Sequence, residues 1–151
     1  MRQFEHLLVF CPDTQAESIL IVPALRALRE AYRSSRITLM ALPATYPAAC
    51  SLPFVDTVHT RREEKEADYI RTISELGCDG AVIFTSPGQS PYPDAYRCYF
   101  AGIPFRLGMS SEFDGGVLSH WAKPLPSIRP VDRYLSLVTS VGLPGAGRRL
   151  L

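Results

Sequence analysis

Short apolar runs alternate with longer stretches of mixed polarity along the chain, and no other feature limits its fold as tightly. The runs are HLLVF at 6–10, RITLMAL at 36–42, VDTVHT at 55–60, AVIFT at 81–85 and a short one at 105–108. Runs of this length suit strands, and the stretches between them suit helices, which is the pattern of a doubly wound, parallel α/β sheet. The 151 residues leave room for one such domain with a proper core, since a domain of this size buries ~70% of its unfolded surface. A 46% hydrophobic share with 21% charged residues excludes a disordered chain.

The expected elements follow from periodicity. A helix is expected over 16–32, with Leu20, Leu25 and Leu28 toward one face and a kink at Pro23, which removes a backbone hydrogen bond. A short helix is expected over 46–51 and a charged one over 61–77, the latter turning Tyr69, Ile73 and Leu76 inward and capped by Gly77. Further helices are expected over 94–101 and 131–141. The run at 81–85 reads as a central strand covered on both faces. The stretch 109–126 reads as irregular. The domain is expected to span 1–142, leaving 143–151 as a tail or a truncated interdomain linker.

In the strand order 3-2-1-4-5 the sheet reverses direction between its first and fourth strands, and ligands of such folds sit outside the carboxyl ends at that switch. The loops meeting there are CPDTQAES and TSPGQSPYP. Neither holds GxGxxG or GxxxxGK[ST], so dinucleotide and nucleoside triphosphate binding through the first strand are disfavoured. What the first loop offers is Asp13 and Glu17. A carboxylate at a helix N-terminus is kept ionised by the dipole and is a candidate general base; such a residue is more often a simple helix cap. His6 and His59 read as structural or solvent-facing, His120 as a residue that could face the crevice, and Tyr92, Tyr96 and Tyr99 as packing residues of their helix, with room for one of them to line the site.

Charge and cysteine content narrow the partners. A net charge of +1 gives no support for nucleic-acid binding or a polybasic membrane patch. The cations are nearly all Arg, with Lys only at Lys65 and Lys123, and Arg suits bidentate contacts to carboxylate or phosphate. Cys11, Cys50, Cys78 and Cys98 form no CxxC pair and read as small buried hydrophobes, with no metal site and no cofactor implied. No apolar run reaches the ~18 residues of a membrane span, and the first residues lack a signal-peptide pattern, so a cytoplasmic protein is expected.

The segments PALRALREAY, RITLMALP, LPFVDTV, TSPGQSPYPDAYRCYFAGIPFRLGMSSEFDGGVLSHWAKPLP and VDRYLSLV together resemble the N-terminal half of glycosyltransferase family 9, the family of lipopolysaccharide heptosyltransferases. The resemblance covers nearly the whole chain. It implies one Rossmann-like half of a GT-B fold, binding a sugar or glycolipid acceptor, with the nucleotide-sugar donor held by a separate C-terminal domain. It also implies inverting, metal-independent transfer with a carboxylate at the start of the first helix as base, and a cytoplasmic location peripheral to the inner membrane. On this reading Glu17 is the catalytic residue, and Asp13, Gln89, Ser90 and Arg106 contact the acceptor.

The chain departs from the family at three places. Ala16-Glu17 stands where the family has Gly-Asp, so the carboxylate sits one methylene further out. Arg129 stands where it has His. The donor-binding half lies outside the sequence, so the chain is expected to be inactive alone and to self-associate through its exposed cleft face. The rival readings are a degenerate sugar-binding or interaction domain and a small flavodoxin-like regulator.

Overall fold

The computed structural model describes residues 3–110, 117–123 and 129–140. The tail at 143–151, the EFDGG segment and the end of the last expected helix at Val141 lie outside the described residues. In chain order the elements are β1 His6–Phe10, α1 Gln15–Ile19, α2 Val22–Ala31, β2 Arg36–Ala41, α3 Tyr46–Ala49, β3 Thr57–Thr60, α4 Glu66–Glu75, β4 Gly80–Ile83, α5 Tyr92–Phe100, β5 Phe105–Met109, β6 His120–Ala122 and α6 Pro130–Ser140.

The strands form one parallel sheet in the order β3-β2-β1-β4-β5-β6. The expected order is present, with one addition. Residues 120–122, read from sequence as irregular, pair with β5 so that Leu107 faces His120 and Met109 faces Ala122. Three residues are too few to show a period, and a strand this short is defined by its neighbour.

Period-two alternation sorts the central strands onto two faces. Leu7 and Val9 of β1 join Leu25 and Leu28 of α2 and Tyr134 and Leu137 of α6 in one core. Leu8 and Phe10 point the other way, onto Tyr69 and Ile73 of α4 and Ala95 and Cys98 of α5. Each fully buried Leu or Ile contributes about 1.5–3 kcal/mol relative to exposure. Gly80 opens β4 against the Phe4 ring, where a Cβ would lie 2.6 Å from a ring carbon. Gly77, at φ 71°, ends α4 as expected.

Several expected boundaries move. The single helix over 16–32 is two helices, because the chain turns at Leu20 and Ile21; Pro23 then falls in the first turn of α2, where its missing N–H has no partner to lose, and no internal kink results. The charged residues 61–65 stay outside α4, which starts at Glu66. α5 starts at Tyr92, two residues earlier than expected, and turns Ala95 and Cys98 inward. Tyr96 and Tyr99 therefore do not pack it: they are exposed on its outer face with Phe100. Cys11 and Cys98 are buried and Cys78 partly so, but Cys50 is exposed at the end of α3.

Candidate functional site

The carboxyl ends of β1 and β4 bring the two switch loops together. After β1 the chain runs through Pro12 and Asp13 to Thr14, which caps α1: its Oγ1 accepts the Glu17 N–H at 3.2 Å, and its carbonyl accepts the Ser18 N–H at 3.0 Å. Thr14 and Glu17 have the spacing of a capping box, but the Glu17 carboxylate makes no hydrogen bond back to the Thr14 N–H. The Glu17 carboxylate instead accepts a hydrogen bond from the Tyr134 hydroxyl of α6, at 2.5 Å to Oε1. Tyr134 is buried, its ring edge-on to Phe84 at 5.6 Å, and burial, followed by the Glu17 carboxylate, pushes its phenol above the ordinary range.

After β4 the sequence Ser86-Pro87-Gly88-Gln89 makes a tight turn closed by the Gln89 N–H to the Ser86 carbonyl at 2.9 Å. Pro87 at the second position and Gly88 at the third, with φ 85°, supply the conformations of a type II turn. The turn aims the Gln89 carboxamide at the other loop. Its Oε1 accepts the Ser86 N–H at 2.8 Å and the Asp13 N–H at 3.1 Å. Ser90 follows, and its Oγ accepts the Tyr92 N–H at 3.2 Å as α5 begins.

Two cavities flank this staple, and Gln89 and Ser90 line both. The larger, about 570 Å³, lies between the ends of β4 and β5 and is also lined by Thr85, Tyr92, Ser110 and Arg133. The Arg133 Nε is buried with no hydrogen-bond partner among the described residues, and Tyr92 and Ser110 share a hydroxyl contact at 2.5 Å. The smaller, about 240 Å³, lies on the other face, between the ends of β1 and β2 and the start of α5. Its lining holds three charges, Arg61, Asp94 and Arg97. Glu66, outside the lining, bridges Arg97 and, at 2.9 Å, Arg61, while Arg97 also holds Asp94 at 2.8 Å. Both guanidinium groups lie over the Tyr69 ring, Arg61 at 4.3 Å.

The electrostatics follow from this packing. The hydrogen bond from Arg97 holds the Glu66 carboxyl below its ordinary range. Burial pushes the Asp94 carboxyl up, opposed by Arg97. Cys11 lines the smaller cavity, but burial pushes its thiol up to about 12, which leaves no thiolate for chemistry at neutral pH. Among the described residues no group of His, Cys, Asp and Glu could hold a metal ion.

Asp13, Glu17, Gln89 and Ser90 therefore gather at one end of the sheet. Arg106 does not join them. It is the second residue of β5, beside Ala81, and its guanidinium donates to the carbonyls of Val117 at 2.6 Å and Ile103 at 2.7 Å. His120 turns its ring onto Phe105, 4.4 Å between centroids, with Nδ1 2.9 Å from the Ser119 hydroxyl. His6 is buried with Nε2 2.6 Å from Thr38 Oγ1, as a structural histidine would be.

Sequence reasoning missed Tyr134, Arg133 and the Glu66–Arg97–Asp94 group. Arg133 and Tyr134 were visible only as consecutive residues of an amphipathic helix. Arg61, Glu66, Asp94 and Arg97 are spread over 61–97 and carry no spacing signal.

No protein-family model and no curated protein sequence matches the chain. Solved structures do. ADP-heptose lipopolysaccharide heptosyltransferase II of E. coli superposes with a TM-score of 0.70 and 24% identity over 91% of this chain and 41% of its own. A glycosyl transferase family 9 protein of Veillonella parvula gives 0.74 and 16% over 95% and 43%. E. coli heptosyltransferase WaaC, solved with ADP-2-deoxy-2-fluoro heptose, gives 0.67 and 11% over 93% and 49%. The chain thus spans less than half the length of each. A dodecameric FMN-dependent Ubix-like decarboxylase of E. coli also shares the architecture, with a TM-score of 0.52 and 14% identity, so the layer arrangement alone does not select an activity. The chain carries the Rossmann-like α/β fold found in the N-terminal halves of these heptosyltransferases and of the family 9 glycosyl transferase.

Proposed function

We propose that this chain is the acceptor-binding half of an inverting glycosyltransferase, with Glu17 as the general base. The observation that supports this most directly is the placement of the Glu17 carboxylate: it is free of capping duty and lies at the switch point, its phenol partner next in sequence to Arg133 of the larger cavity. The acceptor would enter between the two loops, with its hydroxyls on Ser90, Gln89 and the Asp13 carboxylate and an anionic substituent on Arg133. Arg106 would act on the acceptor only through the backbone it holds.

Transfer then needs a nucleotide-sugar donor presented by a donor-binding half, as the resemblance implies. The acceptor oxygen bonds to the anomeric carbon while the bond from that carbon to the diphosphate breaks. The hydroxyl proton passes to Glu17, and the electron pair leaves with the diphosphate. We place the protein in the cytoplasm, peripheral to the inner membrane, at lipopolysaccharide assembly. Exposed Ile19 and Leu42, at this end of the sheet, would favour contact with the donor half or, without it, with a second copy. A second reading, a sugar-binding domain without catalysis, rests on Ala16-Glu17 standing where the family it resembles has Gly-Asp.

The test is transfer from ADP-heptose by the chain mixed with the donor-binding half of a family 9 enzyme. Glu17→Gln keeps the shape and loses the base, so transfer should fall by ~10²-fold or more, the scale of a general base. Unchanged transfer in Glu17→Gln would remove Glu17 from the chemistry, and acceptor binding without transfer in the native protein would support the sugar-binding reading.

A further inference from the structure

We propose that Tyr134 is a positioning residue that holds the Glu17 carboxylate in one orientation, leaving Oε2 to face the acceptor hydroxyl. The inference rests on the reading of Glu17 as the base and goes beyond it, because it assigns a second residue, 117 positions away, to the same chemistry. The need arises from the sequence. Glu has one more side-chain torsion than Asp, and the carboxylate of a lone Glu on the first turn of a five-residue helix would sample several staggered positions.

Three features remove that freedom. Among the described residues no backbone N–H of the first turn of α1, that of Thr14 included, draws the carboxylate back onto its own helix. Tyr134 cannot follow a wandering partner, since its ring is buried in the core between α6 and the sheet and braced edge-on by Phe84. Its hydroxyl stays protonated across the working pH range, because burial and the adjacent carboxylate both disfavour the phenolate. A permanent donor on a rigid mount thus fixes Oε1. The only hydrogen bond to the Glu17 carboxylate among the described residues is this one, so Oε2 is left for a substrate proton.

The experiment uses the full chain, isotopically labelled, and reads the Glu17 side-chain torsions from three-bond scalar couplings by NMR. Native protein should show one rotamer. Tyr134→Phe keeps the ring against Phe84 and removes only the hydroxyl, and the couplings should then average over several rotamers. Averaging in the native protein, or a single rotamer retained in Tyr134→Phe, would overturn the proposal. With a donor half supplied, Tyr134→Phe should lower kcat about 10-fold at unchanged acceptor KM, a fraction of the ~10²-fold that misplacement by ~1 Å can cost. In a Glu17→Asp background, where the shorter side chain no longer reaches the phenol, Tyr134→Phe should have no further effect on kcat; an equal loss in both backgrounds would mean that Tyr134 acts through packing and would also overturn it. If native protein shows no transfer at all, the general-base reading fails, while the couplings still decide whether Tyr134 holds Glu17.

Discussion

The side-chain oxygen of Gln89 accepts the backbone N–H of Asp13 at 3.1 Å, joining loops that are 76 residues apart in sequence. The same oxygen accepts the Ser86 N–H, so one carboxamide sets the separation of the two switch loops and the width of the crevice between them. Gln89→Leu should leave both amides without their acceptor, costing about 1–2 kcal/mol. Amide hydrogen exchange measured residue by residue should show Asp13 and Ser86 losing protection while β1 keeps it. Unchanged exchange at both would show that the loops are held apart by something else.

Arg97 carries two carboxylates at the smaller cavity, and Asp94 is the more buried of them. Arg97→Met should destabilise the fold by about 2 kcal/mol at neutral pH, because a partly buried charge is left without its partner. Arg97 lowers both carboxyls, opposing burial at Asp94, so what it contributes is present while they are ionised and is lost as they take up protons. The deficit should therefore shrink as pH falls through the carboxylate range. Urea denaturation of both proteins at several pH values reads this directly, and a deficit that grew toward acid pH would contradict it.

Gly80→Ala should cost about 1–3 kcal/mol, since the added methyl would lie 2.6 and 2.7 Å from two Phe4 ring carbons and 2.9 Å from a Leu7 methyl. The Phe4 ring is itself braced by Tyr32 and Phe105 at 5.2 and 5.0 Å, which limits how far it can move. Thermal unfolding would show the loss as a lower midpoint. Phe4→Leu in the same background should recover part of it.

Acid should destabilise the protein in two steps. His6 is buried beside Thr38, and burial holds its pKa below the ordinary histidine range. The unfolded chain binds that proton first, so stability falls as pH drops from the histidine range through the folded value. Asp56 accepts the Ile37 N–H at 2.8 Å and pairs with Arg29 at 2.8 Å, and the Ile37 bond holds its carboxyl below the ordinary range. Its contribution is present above the unfolded carboxylate pKa and is lost as pH falls through the folded one. In Asp56→Asn the lower step of a plot of Tm against pH should flatten while the upper step stays; two unchanged steps would exclude Asp56 as the cause.

The sequence by itself determined the sheet, its order and most of its helices. HLLVF, RITLMA and GAVI have no face to show to water, so they had to lie inside a covered parallel sheet, and that covering places the crevice at the ends of β1 and β4. Gln89, Ser90 and the two carboxylates of the first loop were legible for the same reason: a loop at a switch point is located by its strands. Tertiary structure alone decided what those groups touch. Whether Glu17 caps its own helix or turns to Tyr134 depends on a phenol 117 residues away, and whether Arg106 reaches the crevice depends on carbonyls at 103 and 117 that only a folded chain brings to its guanidinium. β6 needed β5 as a template, and the charges at 66, 94 and 97 meet only because α4 and α5 pack on one face. Periodicity records which side of an element is buried; it holds no information on which distant side chain will be found there.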